Sequence, residues 1–229
     1  MKCTSWTVRG LKDPCKHLEV RNFIRQNDIA ILGLLESWVR NVNTNKVASG
    51  LLKGWKSVKN RHLSLLGRIL LFWDPARVRF KILRKSYQVI HALHFFNDSS
   101  EFFISFGYGD CDYIARRELW WDMRRVACNF STKPWAILGD FNVSKSVEEQ
   151  LGGKPRLSKS ILELEDCIWD FELEDIRQTG CFYTWNNKRS GSELISKNLD
   201  RVMGNWLWFQ QVGHLQAHFH VPGIADHSP

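Results

Sequence analysis

The chain has 229 residues, a length that suits one large α/β domain, and its 44% hydrophobic and 24% charged content excludes wholesale disorder. Its net charge of +8 is uneven: residues 1–100 hold 18 Lys and Arg against 6 Asp and Glu, and residues 101–229 hold 14 against 18. That split fits a polyanion-binding face around a carboxylate-rich centre, and a solvated basic surface explains it as well.

In chain order, Cys3–Val8 reads as a strand and Lys16–Gln26 as an amphipathic helix with Leu18, Phe23 and Ile24 inward. Ile29–Leu35 is continuously apolar, the pattern of a strand buried on both faces. Asn43–Leu52 fits a helix. Short strand candidates follow at Trp55–Val58, Ile69–Trp73, Val78–Leu83, Val89–His94 and Phe102–Tyr108, with turns such as Trp73-Asp74-Pro75 that predict antiparallel hairpins. Ala115–Phe130 is a helix, with Leu119, Met123, Val126 and Ala127 at helical spacing. Trp135–Phe141 is a second buried strand. Ser158–Trp169 is a helix opened by Ser158 or Ser160. Strands are predicted at Tyr183–Trp185, Ser196–Val202 and Val212–Phe219. Helices bracketing a mixed strand set predict an α/β fold of two packed sheets with helices outside.

The six cysteines are scattered without a C-x-x-C pair and read as reduced, mostly buried thiols. No apolar leader opens the chain, and its longest apolar runs are too short to span a bilayer. The expectation is a nuclear or cytoplasmic protein that has no membrane partner and no small-molecule cofactor, and that is a monomer.

Polar residues stand where the apolar strands end. Thr7 closes the first and Glu36 the second, in "LLESW". Tyr108 closes "FFISFGYG", and Asp140 and Asn142 close "AILGDFN". Asp200 lies in "NLDRV" and Asp226-His227 in "ADHSP". Alone, each has an ordinary explanation: a cap, an Asx-turn, a solvated tail. Together they supply hard oxygen ligands for a divalent cation, with donors and acceptors for phosphodiester chemistry. Convergence from several strand ends is how a sheet-edge active site is built.

These residues, in this order, resemble the endonuclease/exonuclease/phosphatase superfamily, above all the nuclease domains of plant LINE-type retrotransposons. "SWTVRGLKDP" looks like that branch's opening W-N-x-R-G-L-N-x-P. "LLESW", "ILLFWDP", "RRELW", "WAILGDFNV", "FYTWNNKRSGSELISKNLDRVMGN" and "ADHSP" are similar to its later blocks. The likeness covers nearly the whole chain.

The resemblance implies a four-layer α/β sandwich, DNase I-like, and a nuclease that nicks double-stranded DNA with Mg2+ or Mn2+. It implies Glu36, Asp140 and Asp226 as metal residues, and Tyr108, Asp140, Asn142, Asp200 and His227 as catalytic ones. Asp140 and Asn142 position the attacking water, Tyr108 bonds the scissile phosphate, and Asp200 pairs with His227. Which group removes the proton stays open, as does one metal or two. Arg9, Trp185, Asn186 and Arg201 line the DNA groove or support the site. A core role fits Trp185 equally, and a structural ion pair is a rival reading of Arg201.

Four departures from the pattern stand out. Thr7 replaces an Asn, and its hydroxyl is too short to span the same two contacts. Gly67-Arg68 replaces Gly-Gly, and Ala225 replaces Ser. Pro229 follows His227 by two residues, which predicts a missing last strand and a frayed His227. The expectation is therefore a truncated, partly degenerate nuclease domain. A remnant that at most binds DNA is one alternative, and a phosphatase of the same superfamily is another.

Overall fold

A computed structural model describes residues 2–40, 43–60, 68–95 and 101–229; Gly67 lies outside them. The chain runs β1 (Lys2–Thr7), α1 (Pro14–Asn27), β2 (Ile29–Leu35), α2 (Thr44–Leu51), β3 (Lys56–Lys59) and β4 (Ile69–Trp73). It continues through β5 (Arg79–Lys85), β6 (Val89–Phe95), β7 (Glu101–Tyr108), α3 (Tyr113–Phe130), β8 (Trp135–Asp140), β9 (Gln150–Leu151) and α4 (Lys159–Asp170). Then come β10 (Leu173–Asp175), β11 (Gln178–Gly180), β12 (Trp185–Asn186), β13 (Ser196–Lys197), β14 (Asp200–Asn205), α5 (Trp206–Val212) and β15 (Ala217–Phe219).

Two sheets carry the fold. One has the order β1-β2-β4-β3 and the other β10-β14-β8-β7-β6-β5. Period-two alternation sorts their side chains. Ile31, Leu35 and Leu71 of the first sheet pack against Ala92, Ile104, Phe106 and Leu138 of the second. From the other face of β2 and β4, Leu32, Leu34, Leu70 and Phe72 meet Val20 and Ile24 of α1 and Leu51 of α2. Trp135 and Ile137 of β8 meet Leu119, Met123 and Val126 of α3 and Ile161 and Leu164 of α4. The result is helix, sheet, sheet, helix: the four-layer sandwich that the motifs imply. The sheets approach closely at Gly33, where a Cβ would lie 2.5 Å from the Phe106 ring.

Local chemistry sets the helix ends. Asp13 accepts from the Cys15 amide at 2.8 Å and Pro14 follows it, and Asp112 accepts from the Ala115 amide at 2.9 Å. Five expectations need correction. Leu18 faces solvent, and Val20 takes the inward position beside Ile24. β4 does not form a hairpin with β5: after the Asp74 turn the chain crosses to the other sheet. The stretch 196–202 breaks into β13 and β14, and 212–219 holds the end of α5 before β15. Cys15, Cys111 and Cys128 are exposed and only Cys167 is fully buried; all six are free thiols. Among the described residues, no helix is long and apolar enough to cross a membrane.

Candidate active site

Register assembles the site. β7 runs parallel to β8 with Tyr108 opposite Asp140, and β14 runs antiparallel to β8 with Asp200 opposite Asp140. Tyr108, Asp140 and Asp200 therefore form a row across three neighbouring strands. In the facing sheet β1 runs parallel to β2 with Thr7 opposite Leu35, so Thr7 and Glu36 end at the same edge. The last step of β8 depends on Gly139, because a Cβ there would lie 1.9 Å from the Gly107 carbonyl oxygen.

Three site residues, Arg9, Glu36 and Asn142, hold left-handed backbone at φ 45°, 49° and 52°. Non-glycine residues adopt that region at a cost, and such residues cluster at functional sites. The loops that carry them are fixed by their backbones. Val8, Gly10 and Leu11 donate to Leu35, Glu36 and Ser37 at 3.0, 2.6 and 3.1 Å. The Lys16 ammonium donates to the carbonyls of Val8 and Arg9 at 2.5 and 2.9 Å.

Asp140 lies at the centre and is fully buried. Its Oδ1 accepts from the Asn142 amide at 2.9 Å, an Asx-turn, which is the ordinary structural reading of this pair. Its Oδ2 accepts from Thr7 Oγ1 at 3.4 Å and lies 3.7 Å from His227 Nε2. His227 Nδ1 donates to Asp200 Oδ2 at 2.9 Å. The ring is thus held between two carboxylates, and the oxygens and nitrogens of this buried Asp-Asp-His group lie within 4.8 Å of one another. Burial pushes the Asp140 carboxyl up to about 7, against the pull of His227 and helped by Asp200. Burial disfavours the His227 imidazolium, but Asp200 and Asp140 more than offset it and lift the ring to about 9.

Tyr108 donates a short hydrogen bond to Glu36 Oε1. Burial, with Asp140 and Glu36 nearby, raises its phenol far above the ordinary range, so it serves as a donor. Asn142 Nδ2 donates to the Gly109 carbonyl at 2.8 Å, which leaves its Oδ1 toward Cys111. Trp185 Nε1 donates to Asp226 Oδ2 at 2.8 Å, and the Asn186 amide donates to the Asp226 carbonyl at 3.2 Å. The Asn186 side chain caps the next turn through the Lys188 amide.

Arg201 is not brought to the centre. It is buried, with Asp175 at 3.0 Å and Glu149 as ion-pair partners. His227 is not frayed. It is 2% exposed, the Ser228 amide donates to Thr184 at 2.7 Å, and His220 donates to Pro229 at 3.0 Å. Backbone hydrogen bonds and burial, rather than sheet membership alone, pin this segment.

Three residues escaped the motif reading. Thr184 is wholly buried, and its Oγ1 accepts from the amides of Leu199 and Asp200 at 3.0 and 2.9 Å, which sets the start of β14. Arg68 pairs with Asp110 at 3.0 Å, and its guanidinium lies 5.2 Å from the Tyr108 ring centre. The exposed thiol of Cys111 is 3.8 Å from the Tyr108 hydroxyl. "FYTWNN" held a signal for Thr184, because a lone Thr before a short strand suits a backbone cap. Arg68 was marked only as a large side chain in place of a Gly, and nothing local marks Cys111.

Two open clefts share Arg9 and Trp185, the first reaching Asp226 and the second Asn142. One, about 750 Å3, is lined by Lys16, Lys188 and Arg189; the other, about 490 Å3, by Arg116, Lys154, Arg156 and Lys197.

The residues fit a divalent cation. Glu36 Oε2 and Asp226 Oδ1 are buried oxygens with no hydrogen-bond donor among the described residues. Carboxylate oxygens are the ligand type hard cations take.

No protein-family model matches the chain, and no curated protein matches it by sequence. Solved structures do. The AP endonuclease LMAP from Leishmania major superposes at a TM-score of 0.77 and 14% identity, over 99% of this chain and 85% of that one. The endonuclease domain of TRAS1, a telomere-specific non-LTR retrotransposon, gives 0.69 and 11%, over 89% and 84%. A mannosyl-6-phosphatase from Bacteroides thetaiotaomicron gives 0.62 and 12%, over 99% and 96%. The sequence motifs and these superpositions agree: the chain has the fold of the endonuclease/exonuclease/phosphatase structures.

Proposed function

We propose that the protein is a metal-dependent endonuclease that hydrolyses a phosphodiester of double-stranded DNA and leaves a 3′-hydroxyl, as a monomer in the nucleus or cytoplasm. The observation that carries this reading is the buried row of Tyr108, Asp140 and Asp200, with His227 held against its two carboxylates. Beside it stand Glu36 and Asp226, and Asp226 lines one of the two clefts while Asn142 lines the other.

The clefts supply cations for the phosphates that neighbour the scissile one. Tyr108, once its hydroxyl turns from Glu36, donates to a non-bridging oxygen of that phosphate. Asp140 holds the attacking water. Asp200 keeps Nδ1 of His227 protonated, so Nε2 faces the reacting centre as the charged or donor nitrogen. Asn142 fixes the Asp140 carboxylate through its amide. Glu36 and Asp226 would hold Mg2+ or Mn2+, which supplies electrostatic stabilisation of the phosphoryl charge.

The test is nicking of supercoiled plasmid in Mg2+, with an EDTA control and Asp140→Ala. Metal-dependent nicking that the variant loses is the expected result. Intact plasmid with folded wild-type protein would favour the second reading, a DNA-binding remnant. Thr7 favours that reading, since its 3.4 Å hydroxyl contact replaces an amide. Phosphate release from a small phosphomonoester without nicking would favour a phosphatase, as one fold neighbour is named.

A further inference from the structure

Each of the two bare carboxylates has one oxygen held by a neutral donor: Glu36 Oε1 by the Tyr108 hydroxyl and Asp226 Oδ2 by the Trp185 indole. Between the two carboxylates lies the Arg9 side chain. Its Nε is 3.4 Å from Glu36 Oε2, and its Nη1 is 2.8 Å from Asp226 Oδ2. We propose that Arg9 is a resident cation of this site, one that a divalent metal must displace before Glu36 and Asp226 can take it as ligands.

This rests on the metal-dependent reading above and adds a competition to it. A guanidinium and a divalent ion are both cations drawn to the same oxygens. The guanidinium does not lose its proton at any working pH, so it cannot make room by becoming neutral. It must move. The Arg9 backbone cannot, because Val8 and Gly10 are tied to the end of β2 and Lys16 is tied to the Arg9 carbonyl. The side chain can: it is 49% exposed, and Arg9 lines both clefts. A rotation outward takes the charge into the groove and uncovers both carboxylates. In the metal-free protein the guanidinium neutralises the buried Asp226 and the half-buried Glu36, which would otherwise repel each other.

The experiment is calorimetric titration of Mn2+ alone into metal-free wild-type protein, Arg9→Ala, Arg9→Lys and Glu36→Gln, with circular dichroism to verify folding. Arg9→Ala is expected to bind Mn2+ more tightly by on the order of tenfold or more, the weight of a charged hydrogen bond. Arg9→Lys, which keeps a cation, stays near wild type. Glu36→Gln loses the site. Should the alanine variant fail to fold, Arg9→Gln keeps the bulk without the charge and repeats the comparison. Equal or weaker Mn2+ binding by the uncharged variants overturns the competition while the metal site stands. No Mn2+ binding by wild type or by either uncharged variant removes the metal site and the competition together.

Discussion

His91 and His94 sit buried in β6 away from the active site. His91 Nδ1 meets Ser105 Oγ at 2.7 Å, and the His94 ring stacks on Phe102 at 4.7 Å. Burial, with Arg84 nearby, pushes His91 down to about 3, and burial pushes His94 down to about 4. The unfolded chain therefore takes up protons first. Their contribution to stability is intact above about pH 6.5 and falls away as pH drops toward 3. At pH 5 the loss is roughly 2 kcal/mol per ring. Urea midpoints should fall between pH 7 and pH 5, and His91→Gln should flatten that dependence. A pH dependence unchanged in the variant would refute this.

Thr7 sets a second expectation at the residue scale. It contributes one hydroxyl to Asp140 from a fully buried position. Thr7→Asn is expected to raise plasmid nicking by roughly 10–100-fold, the usual weight of an oriented group beside a metal site. Its metal-free stability should change little. No gain in rate would mean that the amide has no partner here.

At the scale of elements, the junction of β7 and β8 is the tightest in the active-site row. Gly139→Ala places a methyl against the Gly107 backbone at a φ of 150°. A loss of stability above about 3 kcal/mol is expected, the range of severe strain and overpacking. Chemical denaturation measures it. A mild effect would show that β7 and β8 can separate without cost.

Elements also show why some of the fold was legible and some was not. Ile29–Leu35 and Trp135–Asp140 are continuous apolar runs bounded by polar residues, and buried central strands must look like that. Their ends marked Glu36 and Asp140 directly. By contrast, "WLWFQQV" in α5 has apolar residues on consecutive positions and suits helix or strand equally. The two-residue strands β12 and β13 bury too little to leave a pattern. Arg201 was ambiguous for a related reason: an Arg beside an active-site Asp looks the same in sequence whether it meets DNA or a carboxylate. Only the register with β8 and the approach of Glu149 and Asp175 separate the two.

For the whole molecule, the basic clefts matter more than the net charge. Lys188 and Arg189 line one cleft, and Lys154 and Arg156 line the other. Lys188→Ala with Arg189→Ala should weaken duplex binding and lower the slope of log affinity against log salt by roughly 2, one for each lost phosphate contact. The same pair of changes should leave Mn2+ binding at Glu36 and Asp226 unaltered. An unchanged salt slope would mean that the DNA path avoids this cleft.

The contacts that close the centre span the chain. Thr7 reaches Asp140 across 133 positions, and Glu19 takes the Ile224 amide across 205. During synthesis, Glu36 and Asp140 emerge long before His227 has been added. A nascent or prematurely terminated product thus holds the acids without the ring that completes them. The buried Asp-Asp-His arrangement therefore cannot form until His227 has been translated.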